Sequence, residues 1–539
     1  KNTVIGKGAA LNATDMNHSV FVGSAAGGLG VVTGADNVAV GHAAGLDLTS
    51  GASNVLIGRD AGASLTDSSA NVAIGLGALD AAVAGVTNNV AIGLNALGAE
   101  NSGADYCIAI GRSALLLQNA DVKNTAIGGL AGDAITSGAN STFVGYLAGS
   151  GTSTTHGNTA TGHMAYAKGT GNYNTVVGGF AGSSTENTTT AMSGDSNVIA
   201  GYNAGYTLTT GDGNVLAGRD AGKALTTGAH NNIIGNGAAV LLTGAANHNT
   251  VIGKGAFSNE NTTASYCIAI GTESLATQRS AAAINLSIGH QAGTAITDGT
   301  KNVLIGHEAG SAIADDDNNT ALGYNALKAS TAGDNNTAIG AYAMDAAITG
   351  SANTAVGAYA MGQTNSAAEN NTAVGVNALF NLTVADGDHN TALGHNAGCF
   401  LSNGSTGVTD VRYGTYLGSA TRGFAATGVE NETVIGYLAV GEGTNTFTLG
   451  NSSIESLHCE ESSISALSDS RAKRDVNDNT VGLDFIDKLA TVNYKKINPA
   501  DFPEVFREGR WSESTYEEIV SEAVEAADEV WEDAVVQDA

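Results

Sequence analysis

The sequence contains few of the residues on which ordinary globular domains depend. Only 14% of its 539 residues are charged and 5% are aromatic, whereas a typical globular chain is roughly a quarter charged. It has two prolines and four cysteines, too few cysteines for a disulfide framework. It has no apolar run of about 18 residues, the length that a membrane-spanning helix needs. These absences argue against several globular domains, a disulfide-rich fold and insertion into a membrane.

The charge balance is strongly acidic. The chain has 22 Lys and Arg against 51 Asp and Glu, a net charge of −29. This charge disfavours nucleic acid and anionic membrane surfaces as partners. Hydrophobic residues make up 42% of the chain, which is too many for a disordered protein. Abundant small residues with some Val and Ile suit a thin, repetitive fold.

A short phrase recurs through the first 450 residues. It reads Asn-Val-Leu-Ile-Gly at 54–58 and Asn-Thr-Ala-Ile-Gly at 336–340. Twenty-six copies end at glycines from Gly6 to Gly450, and most are 17 or 18 residues apart. A fixed period of this kind is typical of solenoid and fibrous architectures.

Each position of the phrase has its own physical requirement. The glycine ends an extended stretch and is expected to allow a turn that a Cβ atom would obstruct. The Asn, present in 19 copies, would form an amide ladder if the copies stack in register. Alanine follows the glycine by three residues in 23 copies, which indicates a tightly packed corner. In two representative copies the structural residues are Asn54, Ile57, Gly58, Ala61, Asn336, Ile339, Gly340 and Ala343.

The strand before each glycine is apolar on both faces. Alternate strand residues face opposite sides, so Thr125 and Ile127 share one face and Ala126 takes the other. The residue before the glycine is Ile, Val or Leu in 23 copies, and the one before that is apolar in 24. Such a strand is buried on both faces, but a thin solenoid covers only one. We therefore expect the second face to pack against a neighbouring copy of the chain.

The repeat resembles two known families. The phrase Asn-Thr-Ala-Ile-Gly resembles the β-structured repeats of bacteriophage tail fibres, and it is similar to the Ser-Val-Ala-Ile-Gly phrase in the heads of trimeric autotransporter adhesins. The resemblance covers about residues 1–450 and implies parallel β-rolls, three of which pack around one axis. We therefore expect an all-β, repetitive parallel β-roll or β-solenoid that assembles as an elongated homotrimer.

The composition changes near residue 467. Both prolines and both tryptophans lie beyond it. We place a boundary at Leu467–Ser468, with residues 1–450 as the shaft, 451–467 as a linker and 468–539 as a small α/β segment.

Residues 468–496 resemble the start of the intramolecular chaperone and auto-peptidase domain of phage endosialidases and tailspikes. The residues that carry the resemblance are Ser468, Asp469, Arg471 and Lys473. It implies a domain that trimerises, assists folding of the shaft and cleaves the chain before Ser468, with Ser468 as nucleophile and Lys473 as its base. A serine becomes a useful nucleophile when an adjacent base takes its proton. The family's Gly-x-x-Ala-Gln-Glu phrase is missing, so we expect the domain to be incomplete.

Three other sets of side chains have both a chemical and a structural interpretation. Cys107 and Cys267 occupy the ladder position in place of Asn. They are either a redox or metal site or small buried side chains. Asp315, Asp316 and Asp317 either bind Ca²⁺ or form a solvated turn. Histidines near the repeat glycine are either metal ligands or solvated corner residues (His42, His290, His307 and His395). We favour the structural interpretation in each set, and so expect no metal site and no cofactor.

The stretch from Gly398 to Gly436 departs from the repeat. It adds Phe400, Tyr413, Tyr416 and Phe424. Loops on a rigid scaffold often carry binding and aromatic rings stack on sugars, so we interpret these residues as a host-surface contact. The alternative is a cap that closes the solenoid.

These observations favour a structural phage tail fibre that attaches to the host. We expect it in the virion after assembly in the host cytoplasm, with three kinds of partner: copies of itself, a host-surface glycan or protein, and other tail proteins. A bacterial trimeric adhesin is one alternative, but it should end in amphipathic membrane strands, which are not seen in 468–539. A tailspike-type glycan-degrading enzyme is another, but no pair of acidic residues suited to it can be identified. The one candidate activity is a single self-cleavage by Ser468 and Lys473.

Overall fold

The computed structural model describes residues 1–456 and 458, except 82–84, 100–104, 121, 184–190, 259–262, 282, 332, 347–348, 364–366 and 384–386. Over these residues the chain is a parallel β-solenoid with one short strand in each turn and no helix. We call each turn a rung. The prediction of an all-β parallel solenoid is confirmed. The first compact unit spans Lys1–Ser456, and segment 468–539, with Ser468 and Lys473, lies outside the described residues.

Twenty-six three-residue strands of the described chain form one continuous parallel sheet. They are β1 Thr3–Ile5, β2 Val20–Val22, β3 Val38–Val40, β4 Val55–Ile57, β5 Val72–Ile74, β6 Val90–Ile92, β7 Ile108–Ile110, β8 Thr125–Ile127, β9 Thr142–Val144, β10 Thr159–Thr161, β11 Thr175–Val177, β12 Val198–Ala200, β13 Val215–Ala217, β14 Asn232–Ile234, β15 Thr250–Ile252, β16 Ile268–Ile270, β17 Leu286–Ile288, β18 Val303–Ile305, β19 Thr320–Leu322, β20 Thr337–Ile339, β21 Thr354–Val356, β22 Thr372–Val374, β23 Thr391–Leu393, β26 Thr415–Leu417, β29 Thr433–Ile435 and β30 Phe447–Leu449.

Four two-residue strands form two small parallel sheets near the end of the solenoid. The strand β24 (Phe400–Leu401) pairs with β27 (Arg422–Gly423), and β25 (Val411–Arg412) pairs with β28 (Val429–Glu430). The irregular stretch therefore continues the solenoid with wider rungs, because β26 still pairs with β23 and β29 in the main sheet.

Backbone hydrogen bonds join each rung to the rungs before and after it. In β4, Val55 N donates to Asn71 O at 2.8 Å, and Ile57 O accepts from Gly75 N at 2.8 Å. Successive strands keep the same register, so Val55 pairs with Val72 and Leu56 with Ala73. With about 4.8 Å between strands, 26 rungs give a shaft about 120 Å long.

In many rungs a large interior residue is paired with a small one. Where the middle strand residue is large, as Leu56 is, the fourth residue after the repeat glycine is Gly62, whose Cβ would lie 2.8 Å from Leu56 Cδ2. Where the middle residue is Ala73, the equivalent position is the fully buried Leu79. The repeat phrase indicated no core residue after the alanine corner. These residues do lie in turns, but several of their side chains complete the core.

The repeat glycine has the role predicted for it. Gly58 has φ +136°, a conformation that side-chain-bearing residues rarely adopt. A Cβ there would lie 2.5 Å from the carbonyl oxygen of Gly75 on the next rung. The alanine three residues later, Ala61, is fully buried at the corner, as predicted.

Two further corner positions have left-handed backbone without glycine, which was not predicted. In the fourth rung these are Ser53 (φ 61°), before the ladder Asn, and Asp60 (φ 59°), two residues after the glycine. Asn and Asp tolerate this conformation better than most residues, and they occupy such positions in several rungs, for example Asp60, Asn88 and Asn95.

Two adjacent glycines provide a matched test of the turn. Gly128→Ala should lower the thermal unfolding midpoint of the shaft, because Gly128 has φ +141° and its Cβ would lie 2.6 Å from the carbonyl carbon of Gly145. We expect a cost of about 1–3 kcal/mol or more. Gly129→Ala is the control, since its nearest neighbour would be Tyr146 Cδ2 at 3.5 Å. Equal midpoints for the two variants, measured by circular dichroism, would contradict this account.

Candidate functional site

One face of the main sheet is uncovered in the single chain. In β8 the middle residue Ala126 is fully buried, while Thr125 is half-buried and Ile127 is 39% exposed. Most other strands have the same pattern of a buried residue between two partly exposed ones. The expectation that one chain buries only one face of its strands is confirmed. We call the first and third residues of the 26 strands the outward stripe.

The outward stripe carries no charge. Its 52 positions hold 34 Val, Ile or Leu, 14 Thr, two Ala, one Phe and one Asn. The chain has 22 basic and 51 acidic residues, and none of them occupies the stripe. Side chains at alternate strand positions are about 7 Å apart, so a stripe about 120 Å long covers on the order of 800 Å². The stripe is mostly apolar, and exposed apolar patches above a few hundred Å² are typical of interaction surfaces.

A buried amide ladder runs beside the strands, as predicted. Asn54 Nδ2 donates to Asn37 Oδ1 at 3.1 Å and to Ser68 O at 2.8 Å. Asn54 Oδ1 in turn accepts from the backbone N of Asn71 at 3.0 Å and from its Nδ2 at 3.2 Å. Asn336 is also buried, and it donates to Gly350 O at 3.0 Å. Each amide thus satisfies backbone groups that its own corner leaves unpaired.

Two cysteines interrupt the ladder, and a glutamine beside each restores it. Cys107 Sγ accepts from Gln118 Nε2 at 2.8 Å, and Gln118 Oε1 accepts from the next ladder residue, Asn124, at 3.1 Å. At the second interruption, Gln278 Oε1 accepts from Asn285 Nδ2 at 2.6 Å. Sequence reasoning missed both glutamines. Their shared spacing, 11 residues after each cysteine, was the available signal.

The cysteines fit the structural interpretation better than the chemical one. Cys107 and Cys267 are both fully buried. Burial raises the pKa of the Cys267 thiol to about 11, so the thiolate that redox chemistry needs is scarce at neutral pH.

His290 and His307 belong to one of several rows of contacting aromatic rings that run across successive rungs, which we call the aromatic rows. His290 stacks on His307 with ring centroids 5.0 Å apart, and His307 stacks on Tyr324 at 5.1 Å. His42 lies 3.9 Å from an Asp60 carboxylate oxygen, and His395 is exposed. Among the described residues, no three His, Cys, Asp or Glu side chains are arranged to hold a metal ion.

The acidic cluster links loops of successive rungs. Asp315 accepts a hydrogen bond from the Thr297 hydroxyl, and Asp317 accepts from Thr300 N at 2.6 Å and from Thr300 Oγ1 at 2.9 Å. Burial is the main cause of the raised pKa of Asp316, and the negative charges of the neighbouring carboxylates raise this pKa further. Two of these carboxylates therefore already serve as acceptors within the solenoid.

The four aromatic residues of the irregular stretch do not form one surface. Tyr413 and Phe424 are 55% and 52% exposed, and Phe400 is half-buried. Tyr416 is fully buried, which corrects its assignment to a host contact. It is the middle residue of β26, and its hydroxyl donates to Glu432 Oε2 at 2.9 Å. Glu432 occupies the ladder position of its rung and is also buried.

Comparison with known proteins identifies no family. No protein-family model and no curated protein matches the chain. None of the described residues belongs to an apolar helix long enough to cross a membrane.

A double-mutant cycle tests the repair of the ladder. Gln118→Leu should lower stability by about 1–3 kcal/mol, because Asn124 loses its buried acceptor. In a Cys107→Asn background the same change should cost less than half as much, because the new amide can accept from Asn124. The two costs are measured as shifts of the thermal unfolding midpoint. Strictly additive shifts would show that the glutamine is not coupled to the cysteine.

Proposed function

We propose that this chain is the shaft of a homotrimeric, fibrous attachment protein of the phage tail-fibre type. It catalyses no reaction on an external substrate. Its role is to span distance as a rigid rod and to present surfaces to a host-cell glycan or protein. Other tail proteins would hold it in the virion.

The observation that carries this proposal is the uncharged outward stripe. Its footprint, on the order of 800 Å², equals the roughly 800 Å² per partner of a standard stable interface. A surface that runs the whole length of the shaft requires a partner of the same length, and a second copy of the chain is such a partner. The number three comes from the resemblance of the repeat to tail fibres and adhesin heads.

Parallel association also suits the geometry of the stripe. All 26 strands of the main sheet run in the same direction, so each copy presents one straight row of first-position and one of third-position residues. Three such stripes can face a common axis, which leaves the loops and the aromatic rows on the outside. Tyr413 and Phe424 remain available there for host contact, whereas Tyr416 does not.

The C-terminal segment would align the three chains. Because the repeat makes slipped registers nearly as favourable as the correct one, a trimeric chaperone domain at 468–539 would set the register before the shaft forms. Its removal by cleavage before Ser468 would then leave a kinetically stable fibre.

Charges placed on the stripe should separate the trimer. In the Ile57→Lys, Ile127→Lys double variant, unpaired ammonium groups would be buried between copies, at several kcal/mol per ion. We expect the concentration at which half of the trimer dissociates to rise at least about 100-fold. The trimer dissociation constant scales as the square of that concentration, so this corresponds to about 5.5 kcal/mol per trimer. In the uncleaved Ser468→Ala background, light scattering would measure this as a change from about 160 kDa, three times 53.5 kDa, towards 53.5 kDa.

The control places the same charges elsewhere. Ser50→Lys with Ser137→Lys adds two lysines at exposed loop positions and should leave the trimer intact. A monomer for the unmodified shaft, or equal dissociation of both double variants, would refute the assignment of the stripe as an interface.

Self-cleavage has its own test. The segment 468–539 comprises 72 of 539 residues, so cleavage before Ser468 should remove about 8 kDa of the 53.5 kDa chain. Ser468→Ala should abolish this loss on a denaturing gel, whereas Ser470→Ala should not. If neither the unmodified chain nor Ser470→Ala is shortened, the peptidase assignment fails.

A further inference from the structure

The outward stripe cannot set the alignment of the copies by apolar burial alone. Of its 52 positions, 48 are Val, Ile, Leu or Thr. A slip of one copy by a whole rung therefore replaces one apolar contact by another of similar size. Something other than bulk burial has to make the correct register better than its neighbours.

One place on the stripe differs from the rest. Asn232, the first residue of β14, is the single amide among the 52 positions, and it is exposed on the single chain. It is not needed by the amide ladder, because the adjacent Asn231 already occupies the ladder position and donates to Ala246 O at 2.8 Å. On the two preceding rungs the third stripe positions are Ala200 and Ala217, the only alanines of the stripe.

We propose that Asn232 is the register-determining residue of the interface between copies of this chain. In a parallel, in-register assembly the Asn232 side chains of all copies meet at one level and hydrogen-bond to one another. Ala200 and Ala217 have short side chains on the two rungs before that level, so the copies can approach closely there. The inference rests on the proposed self-association and names the contact that makes it specific.

A slipped assembly leaves one of two facing amides without a partner. A one-rung slip between two copies places the Asn232 of one opposite Val215 and the Asn232 of the other opposite Thr250. The amide opposite Val215 loses its hydrogen bonds, which disfavours the slip about tenfold, or about 1.4 kcal/mol. The amide opposite Thr250 keeps a hydroxyl partner and adds little. One buried Asn fixes register in coiled coils by the same physics.

The test measures register by disulfide formation between two full-length chains. The two chains carry different tags, so that their cross-linked products can be told apart. One chain carries Ile305→Cys in β18 and the other Ile270→Cys in β16, both with Cys459→Ser, since the other three cysteines are buried. In register these thiols are two rungs, about 9.6 Å, apart along the axis, which is beyond the reach of a disulfide. A two-rung slip brings them level, and a one-rung slip leaves them about 4.8 Å apart along the axis, within reach of a disulfide, whereas the 305–305 disulfide reports the aligned state.

With Asn232 present, we expect 305–305 disulfides and almost none between 305 and 270. Asn232→Val should keep the oligomer but raise the 305–270 product at least about tenfold. Thr250→Val, which removes another polar stripe residue on the next rung, should have no effect. Asn232→Val combined with Val215→Asn moves the amide by one rung in every chain and should restore a single register.

The failures of the two proposals are distinguishable. If the chain is an oligomer and Asn232→Val leaves the 305–270 product at its original level, the register role is wrong and self-association stands. If the chain is a monomer by light scattering, both the register role and the interface are overturned.

Discussion

Every rung hydrogen-bonds to the next at a fixed spacing, and this single constraint determines what each position of the repeat can hold. A residue that fits one rung must also fit against the same position above and below it. The glycine turn stacks on the next glycine with no room for a Cβ atom, as at Gly58 on Gly75. The ladder Asn serves its own rung and the adjacent one together. At Cys107, which lacks the ladder amide, Gln118 supplies the acceptor for Asn124 instead.

The same stacking separates the two faces of the strand into different roles. The inner face is closed by alternating large and small residues, so that Leu56 faces Gly62 and Ala73 accompanies Leu79. The outer face is kept free of charge over the whole sheet, although the chain is strongly acidic. The proposed self-association would account for an outer face that is free of charge and mostly apolar through 26 strands.

The repeat phrase was enough to predict the parallel solenoid, the turn at the glycine, the buried alanine corner and the amide ladder, because each depends on one residue type at one spacing. It did not predict the core residues within the turns, such as Leu79, since they alternate with glycine and show no fixed pattern. Tyr416 was misassigned because an aromatic residue in an irregular stretch suggests a surface loop, whereas β26 keeps the register of the main sheet and places it inside. Ser468 and Lys473 remain predictions, since they lie outside the described residues.

An image of the shaft in cross-section by electron cryomicroscopy tests the central claim most directly. The account predicts three solenoids around one axis, with Ile57, Ile127 and Ile305 and the rest of the outward stripe innermost and the aromatic rows outermost. A single solenoid whose outward stripe faces solvent along the whole shaft would contradict it.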